Sequence, residues 1–79
     1  MEMSKAVALR ITNLLIEKKI TLYKLEQESG IWHGTMSYIM SGKNKTVTLT
    51  NTFKLAKGFN MSVLEFLNDP LFNNVDLDN

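Results

Sequence analysis

The chain has 79 residues and no cysteine, and its formal net charge at pH 7 is +1. A chain this short forms one small domain, and the absence of cysteine excludes disulfides and thiolate metal sites as sources of stability. No segment reaches the roughly 18 apolar residues of a membrane-spanning helix. We therefore expect a soluble, cytoplasmic protein without a membrane partner.

The charges are unevenly distributed along the chain. Residues 1–62 contain nine basic and four acidic side chains, a balance of +5, whereas residues 63–79 contain four acids and no base. A basic body that is followed by an acidic tail is compatible with a polyanionic partner.

The first predicted helix covers about residues 4–18. Its apolar side chains recur at helical spacing and are Val7, Ile11, Leu14 and Leu15. Ser4 precedes them and is the expected N-cap, because its hydroxyl can accept a hydrogen bond from a free amide of the first turn.

The second and third predicted helices are close together in the sequence. Thr21 is expected to cap the helix "LYKLEQES", which Gly30 ends, and a third helix then runs over about residues 33–41 and ends at Gly42. Such a short link makes a helix-turn-helix arrangement, in which glycine gives the turn the backbone freedom that it needs.

The remaining helices are predicted from their capping residues. A basic loop, "KNKTV", follows the third helix, and Thr48 is expected to cap a fourth helix that ends near Gly58. The segment "SVLE", which begins at Ser62, is a capping box that starts a short fifth helix. Pro70 prevents the simple continuation of this helix, because proline lacks an N–H group.

These elements predict a compact, all-α, five-helix domain over residues 1–67, with a short acidic tail over residues 68–79. The segment "TVTLT" alternates like a strand, but we interpret it as a loop and a helix start because a lone strand has no partner. The tail also contains apolar residues, among them Leu71 and Phe72. It is either frayed or packed on the body or on a partner.

The third helix has two different faces. Met36, Ile39 and Met40 should face the core. The opposite face consists of His33, Gly34, Ser37, Tyr38 and Ser41. It offers hydrogen-bonding groups without an acid, which suits the edges of bases and does not repel phosphates. The loop beside it adds types of residue that contact phosphates, namely Lys43, Asn44, Lys45 and Thr46.

The order of these residues resembles the lambda-repressor-like, or Cro/C-repressor (XRE-type), helix-turn-helix family. With the first helix included, the resemblance covers about residues 5–67. The matching positions are Thr21, Leu25, Gly30, Ile31, Thr35, Met36, Ser37, Ile39, Gly42, Leu49, Leu55, Ala56, Phe59, Ser62, Glu65 and Leu67. Because many positions match in register, the pattern is far more specific than any one of its pieces.

The resemblance implies a repressor of transcription that binds double-stranded DNA without a cofactor or small-molecule ligand. Helix 3 would lie in the major groove, with His33, Gly34, Ser37 and Tyr38 facing bases and Thr35 nearby. The start of helix 2, Thr21 to Tyr23, would face a phosphate, and the loop from Lys43 to Thr46 would contact the backbone. Most members bind as dimers to half-sites roughly 34 Å apart, so a homodimer is expected.

The chain departs from the family pattern at four positions. Glu26 stands where members have a small residue, and its carboxylate must reach solvent or find a donor. Leu22 replaces a frequent glutamine, which removes one phosphate contact. Met40 replaces a frequent acid that often pairs with an arginine on helix 1, and we expect Leu15 to contact it instead. Trp32 replaces a serine or threonine, and indole cannot accept a bond from the helix amides.

Several interpretations remain open from the sequence. Trp32 can pack on helix 2, lie against the sugar-phosphate backbone of DNA or contact a second subunit. Gly34 either weakens the helix or permits close approach of DNA. The alternative function is a protein-interaction module that keeps the fold without reading DNA, for which tryptophan is a typical anchor. An enzyme is not expected, because the chain has one histidine, no cysteine and no phosphate-binding glycine loop.

Overall fold

A computed structural model describes residues 1–43 and 47–77 of the chain. The helices in this part are α1 (Met3–Lys18), α2 (Leu22–Ser29), α3 (His33–Met40), α4 (Leu49–Gly58) and α5 (Val63–Leu67), and a 3-10 turn (Pro70–Phe72) follows them. The described residues include no β-strand, and their one isolated bridge joins Glu2 to Asp76. The predicted all-α domain with five helices is therefore confirmed.

Three of the predicted helix starts are confirmed by their hydrogen bonds. The Thr21 hydroxyl accepts from the Lys24 amide at 3.1 Å, and the Thr48 hydroxyl accepts from the Asn51 amide at 3.0 Å. At α5, the hydroxyl of Ser62 accepts from the amide of Glu65 while the Glu65 carboxylate accepts from the amide of Ser62. These side chains satisfy amides that the helices themselves leave without partners.

The predicted N-cap of α1 is wrong. This helix begins one residue earlier, after Glu2, whose side chain makes no capping bond. Ser4 lies inside the first turn, is buried, and donates its hydroxyl proton to the carbonyl of Gly42 at 2.9 Å. The hydroxyl was expected to cap the helix, but it bonds to a carbonyl that is distant in the sequence. This bond therefore links the first turn of α1 to the turn that follows α3.

The core lies between the inner faces of all five helices. Its buried members are Val7, Ile11, Leu14, Leu25, Ile31, Met36, Ile39, Leu55, Ala56, Phe59 and Phe66. Met36 and Ile39 are fully buried, as the apolar spacing of helix 3 predicts, and Met40 and Leu15 are partly buried against the same cluster. This burial leaves the opposite face of α3 in solvent.

Helices α2 and α4 approach each other closely at Gly58. A Cβ at that position would lie 2.7 Å from Cδ1 of Leu25 and 2.9 Å from Cβ of Ser29. Real Cβ atoms essentially never come so near, so only glycine allows this distance between the two backbones. The contact lies at the C-terminal end of α2, and the turn into α3 follows directly after it.

The described part of the tail packs on its own domain. Arg10 of α1 donates to the carbonyls of Phe66 and Glu65 at 2.8 and 3.0 Å and to the Asp69 carboxylate at 3.1 Å. Phe72 lies with its ring centroid 6.3 Å from that of Phe66. Of the alternatives for this segment, packing on the body is the one observed.

Within the described residues, no helix is long and apolar enough to cross a membrane.

Candidate nucleic-acid interface

The turn between α2 and α3 comprises Gly30, Ile31 and Trp32. Gly30 has a φ of 74°, a left-handed conformation that glycine adopts without strain. The side chain of Ile31 is buried, and its amide donates to the hydroxyl of Ser29 at 3.2 Å. The turn between the two helices, each of eight residues, is thus anchored in the core by Ile31.

The outward face of α3 is exposed as the sequence predicts. His33, Gly34, Ser37 and Tyr38 are all exposed, and Thr35 is half-buried. Tyr38 as a whole residue is 54% exposed. The helix itself contributes no carboxylate to this face, so its own side chains offer hydrogen-bonding groups that do not repel phosphates.

The end of α3 is connected to Lys43 through Ser41. The Ser41 hydroxyl donates to the carbonyl of Tyr38 at 2.6 Å and accepts from the amide of Lys43 at 3.2 Å. Lys43 is exposed, and its amide is bonded to the residue that follows α3. The predicted loop contacts Asn44, Lys45 and Thr46 lie outside the described residues.

The start of α2 presents the other two predicted phosphate contacts. Thr21 and Tyr23 are both exposed. The Thr21 hydroxyl is occupied as the cap of α2, and the Tyr23 hydroxyl lies 3.0 Å from Nε2 of Gln27, which donates to it. Both hydroxyl oxygens accept from the chain itself but keep their own protons, so Thr21 and Tyr23 can each donate to a phosphate beside the free amides of the helix start.

Trp32 lies over Gly34 at the start of α3. A Cβ at position 34 would be 2.6 Å from Cζ3 and 3.0 Å from Cε3 of the indole. Trp32 is the N-cap residue of α3, but its side chain makes no capping bond. The residue is 77% exposed. Trp32 is therefore not a buried core residue, and its indole forms a flat, exposed surface where α3 begins. Its contacts with DNA or with a second subunit stay predictions.

The sequence did not identify the partner of Glu26. Its Oε2 atom lies 2.8 Å from Nδ1 of His33, and the Glu26 side chain is only 12% exposed while that of His33 is 75% exposed. The carboxylate has therefore found a donor seven residues along the chain. The only sequence signal was the replacement of a small residue by an acid near the turn. Within the described residues, no group of three or more possible metal ligands surrounds this pair.

The comparisons with known proteins agree with this geometry. A family model described as the Cro/C1-type HTH DNA-binding domain matches residues 10–70. The matched segment begins inside α1 and extends through the turn and α3 to the end of α5. Neither the curated proteins nor the solved structures gave a match.

Proposed function

The chain belongs to the Cro/C1-type helix-turn-helix family, a family of non-enzymatic DNA-binding proteins, and we propose that it is a sequence-specific repressor of transcription. In this proposal α3 lies in the major groove of an operator. Its exposed side chains then contact the edges of bases, and repression follows because the bound protein occupies the operator.

The observation that carries this proposal is the division of α3 into two faces. Met36 and Ile39 are fully buried, while His33, Ser37 and Tyr38 are exposed. Imidazole, hydroxyl and phenol groups can donate or accept hydrogen bonds, which is the chemistry that distinguishes base pairs in the major groove.

The surroundings of α3 provide groups that suit the DNA backbone. Lys43 is exposed at the end of the helix, and the cap at Thr21 leaves the first amides of α2 free to face a phosphate. Lys45 belongs to the same basic loop in the sequence. In the proposed complex these groups fix the position of α3 but do not themselves choose the sequence.

A homodimer is part of the proposal. The helices α4 and α5 expose large apolar side chains, among them Phe53, Leu64 and Leu67. Phe53 also lines a groove with Met61 and Val63, between α4 and the start of α5. Burial of this apolar surface against a second copy would stabilise a small domain and would place two α3 helices on a two-fold operator.

A protein-interaction module is the second candidate, and the exposed indole of Trp32 favours it. Tryptophan is enriched among the residues that dominate protein interfaces. In this candidate, Trp32 and α3 would contact a protein instead of DNA. A stoichiometric complex that Trp32→Ala abolishes, together with no retention of DNA, would support this second function.

Selection of bound duplexes from a random-sequence DNA pool tests the main proposal. We expect one enriched motif, palindromic with half-sites about one helical turn apart, and an affinity that falls steeply with salt. A single, unrepeated motif would support DNA binding but contradict the proposed dimer. Failure to enrich any sequence, or binding that salt does not weaken, would contradict the proposed function itself.

A further inference from the structure

We propose that Glu26 sets the tautomer of His33 and thereby decides which base edge the imidazole reads at the start of α3. This inference rests on the proposed DNA-binding function. Glu26 is in this view a positioning residue: it acts through His33 and does not contact DNA.

The first step of the argument is the geometry of the pair. The distance of 2.8 Å between Oε2 of Glu26 and Nδ1 of His33 is that of a hydrogen bond. An ionised carboxylate has no proton and can only accept, so Nδ1 must be the atom that carries the hydrogen. The Glu26 side chain is held in the last turn of α2 with little exposure, which fixes the direction of the bond.

The second step concerns the other ring nitrogen. In a neutral imidazole only one nitrogen carries a proton, so a protonated Nδ1 makes Nε2 an acceptor. The side chain of His33 is 75% exposed, and none of the described residues forms a hydrogen bond with Nε2. The free nitrogen therefore presents a lone pair to whatever lies against the first turn of α3.

The third step is the chemistry of the major groove. Cytosine and adenine present amino donors there, on N4 and N6, whereas guanine presents the acceptors N7 and O6. An Nε2 acceptor therefore favours the amino groups of cytosine or adenine, whereas a protonated Nε2 would favour the acceptors of guanine, of thymine (O4) or of adenine (N7). Without Glu26 the ring can adopt either tautomer, and the preference at this base position should weaken.

A nuclear magnetic resonance experiment on the full chain tests the tautomer directly. His33 is the only histidine, so a two-bond ¹H–¹⁵N correlation spectrum reports its two ring nitrogens without overlap. Under conditions in which the ring is neutral, we expect a protonated Nδ1 and an unprotonated Nε2. A native protein with the proton on Nε2 would overturn the inference, whatever the behaviour of any variant.

The matched variants are Glu26→Ala and Glu28→Ala. Glu28 lies on the same helix but pairs with Lys24, at 3.1 Å, instead of His33. Glu26→Ala should shift the two ring signals toward a mixture of tautomers, and Glu28→Ala should leave them unchanged. Glu26→Leu, which has a side chain of similar volume without a hydrogen-bonding group, provides the same comparison if the alanine variant does not fold. Unchanged signals in a folded Glu26 variant would contradict the proposed role.

The DNA selection supplies the functional readout. The native chain should prefer cytosine or adenine at one position of each half-site by about fivefold, the factor expected from one net hydrogen bond. Glu26→Ala should reduce this preference below about twofold, and Glu28→Ala should preserve it. If both variants select the native motif, the inference fails and the proposed function stands. If the native chain retains no DNA, both fail.

Discussion

The indole of Trp32 covers Gly34 so closely that a Cβ at position 34 would lie 2.6 Å from its Cζ3 atom. The absence of a side chain at Gly34 therefore has a cause inside the protein itself. The close approach of DNA to Gly34 stays a prediction, and it requires the indole either to move or to make the contact in place of the glycine.

A double-mutant cycle measures this relationship. In a Trp32→Ala background, where the new methyl group meets no ring, Gly34→Ala should raise the free energy of unfolding by about 1 kcal/mol, because alanine has the higher helix propensity. In the native background the gain should be smaller or reversed, because the ring must move. Urea unfolding of the four proteins gives the coupling energy. Equal gains in the two backgrounds would show that the two side chains do not interact.

Gly58→Ala should destabilise the fold by about 1–3 kcal/mol, because a methyl group must displace Leu25 or the backbone of α2. Its Cβ would lie 3.2 Å from the amide nitrogen of Ser29, which is backbone and cannot rotate away. Thermal unfolding followed by circular dichroism measures the effect. Asn51→Ala, a substitution near the start of the same helix, provides the comparison. If both variants lower the unfolding temperature by the same small amount, the close approach of α2 and α4 is refuted.

Lys43→Ala should weaken binding to every DNA sequence by a similar factor and reduce the slope of log affinity against log salt by about 0.9, the value for one lost phosphate contact. Lys18→Ala serves as the charge-matched control, since Lys18 is an exposed residue in the last turn of α1 and belongs to neither the proposed DNA surface nor the proposed dimer surface. Fluorescence anisotropy at several salt concentrations gives the slopes. Equal slopes for the native protein and Lys43→Ala would exclude a phosphate contact.

Tyr38→Ala should change the selected sequence more than the salt dependence, because a phenol that faces a base contributes to specificity. Repeating the selection with this variant should relax one position of each half-site. Thr12→Ala is a suitable control, because Thr12 is exposed on α1 and its hydroxyl bonds to the carbonyl of Ala8 in the same helix. An unchanged motif with Tyr38→Ala would remove Tyr38 from the set of base contacts.

The capping box of α5 should make stability depend on acid pH. Hydrogen bonds from the backbone and the hydroxyl of Ser62 hold the pKa of Glu65 below its usual value of 4.5. A carboxyl whose pKa is lower in the folded state stabilises the fold above its unfolded pKa, and this contribution is lost as the pH falls through the folded pKa. Ser62→Ala should raise the pKa of Glu65 toward 4.5, and carboxyl ¹³C chemical shifts measure it. Because alanine keeps the backbone amide of residue 62, an unchanged pKa would show that the Ser62 hydroxyl does not lower the pKa of Glu65 in solution.

The local elements of this protein were predictable because their signals lie within one helical turn. Thr21, Thr48 and the pair Ser62–Glu65 act on amides three residues away, and all of them cap helices as expected. The two faces of α3 were also predictable, because helical periodicity alone decides which side chains share a face.

The sequence by itself thus determined the all-α class, the helix-turn-helix order and the face of α3 that is left in solvent. The tertiary structure decided the partners of Ser4, Glu26 and Arg10, which bond to groups on other helices or in the tail. No local spacing predicts these contacts, because each depends on where separate helices lie in space. The physical difference is range: capping and periodicity act within a single helix, whereas these polar pairings exist only after the core has brought the helices together.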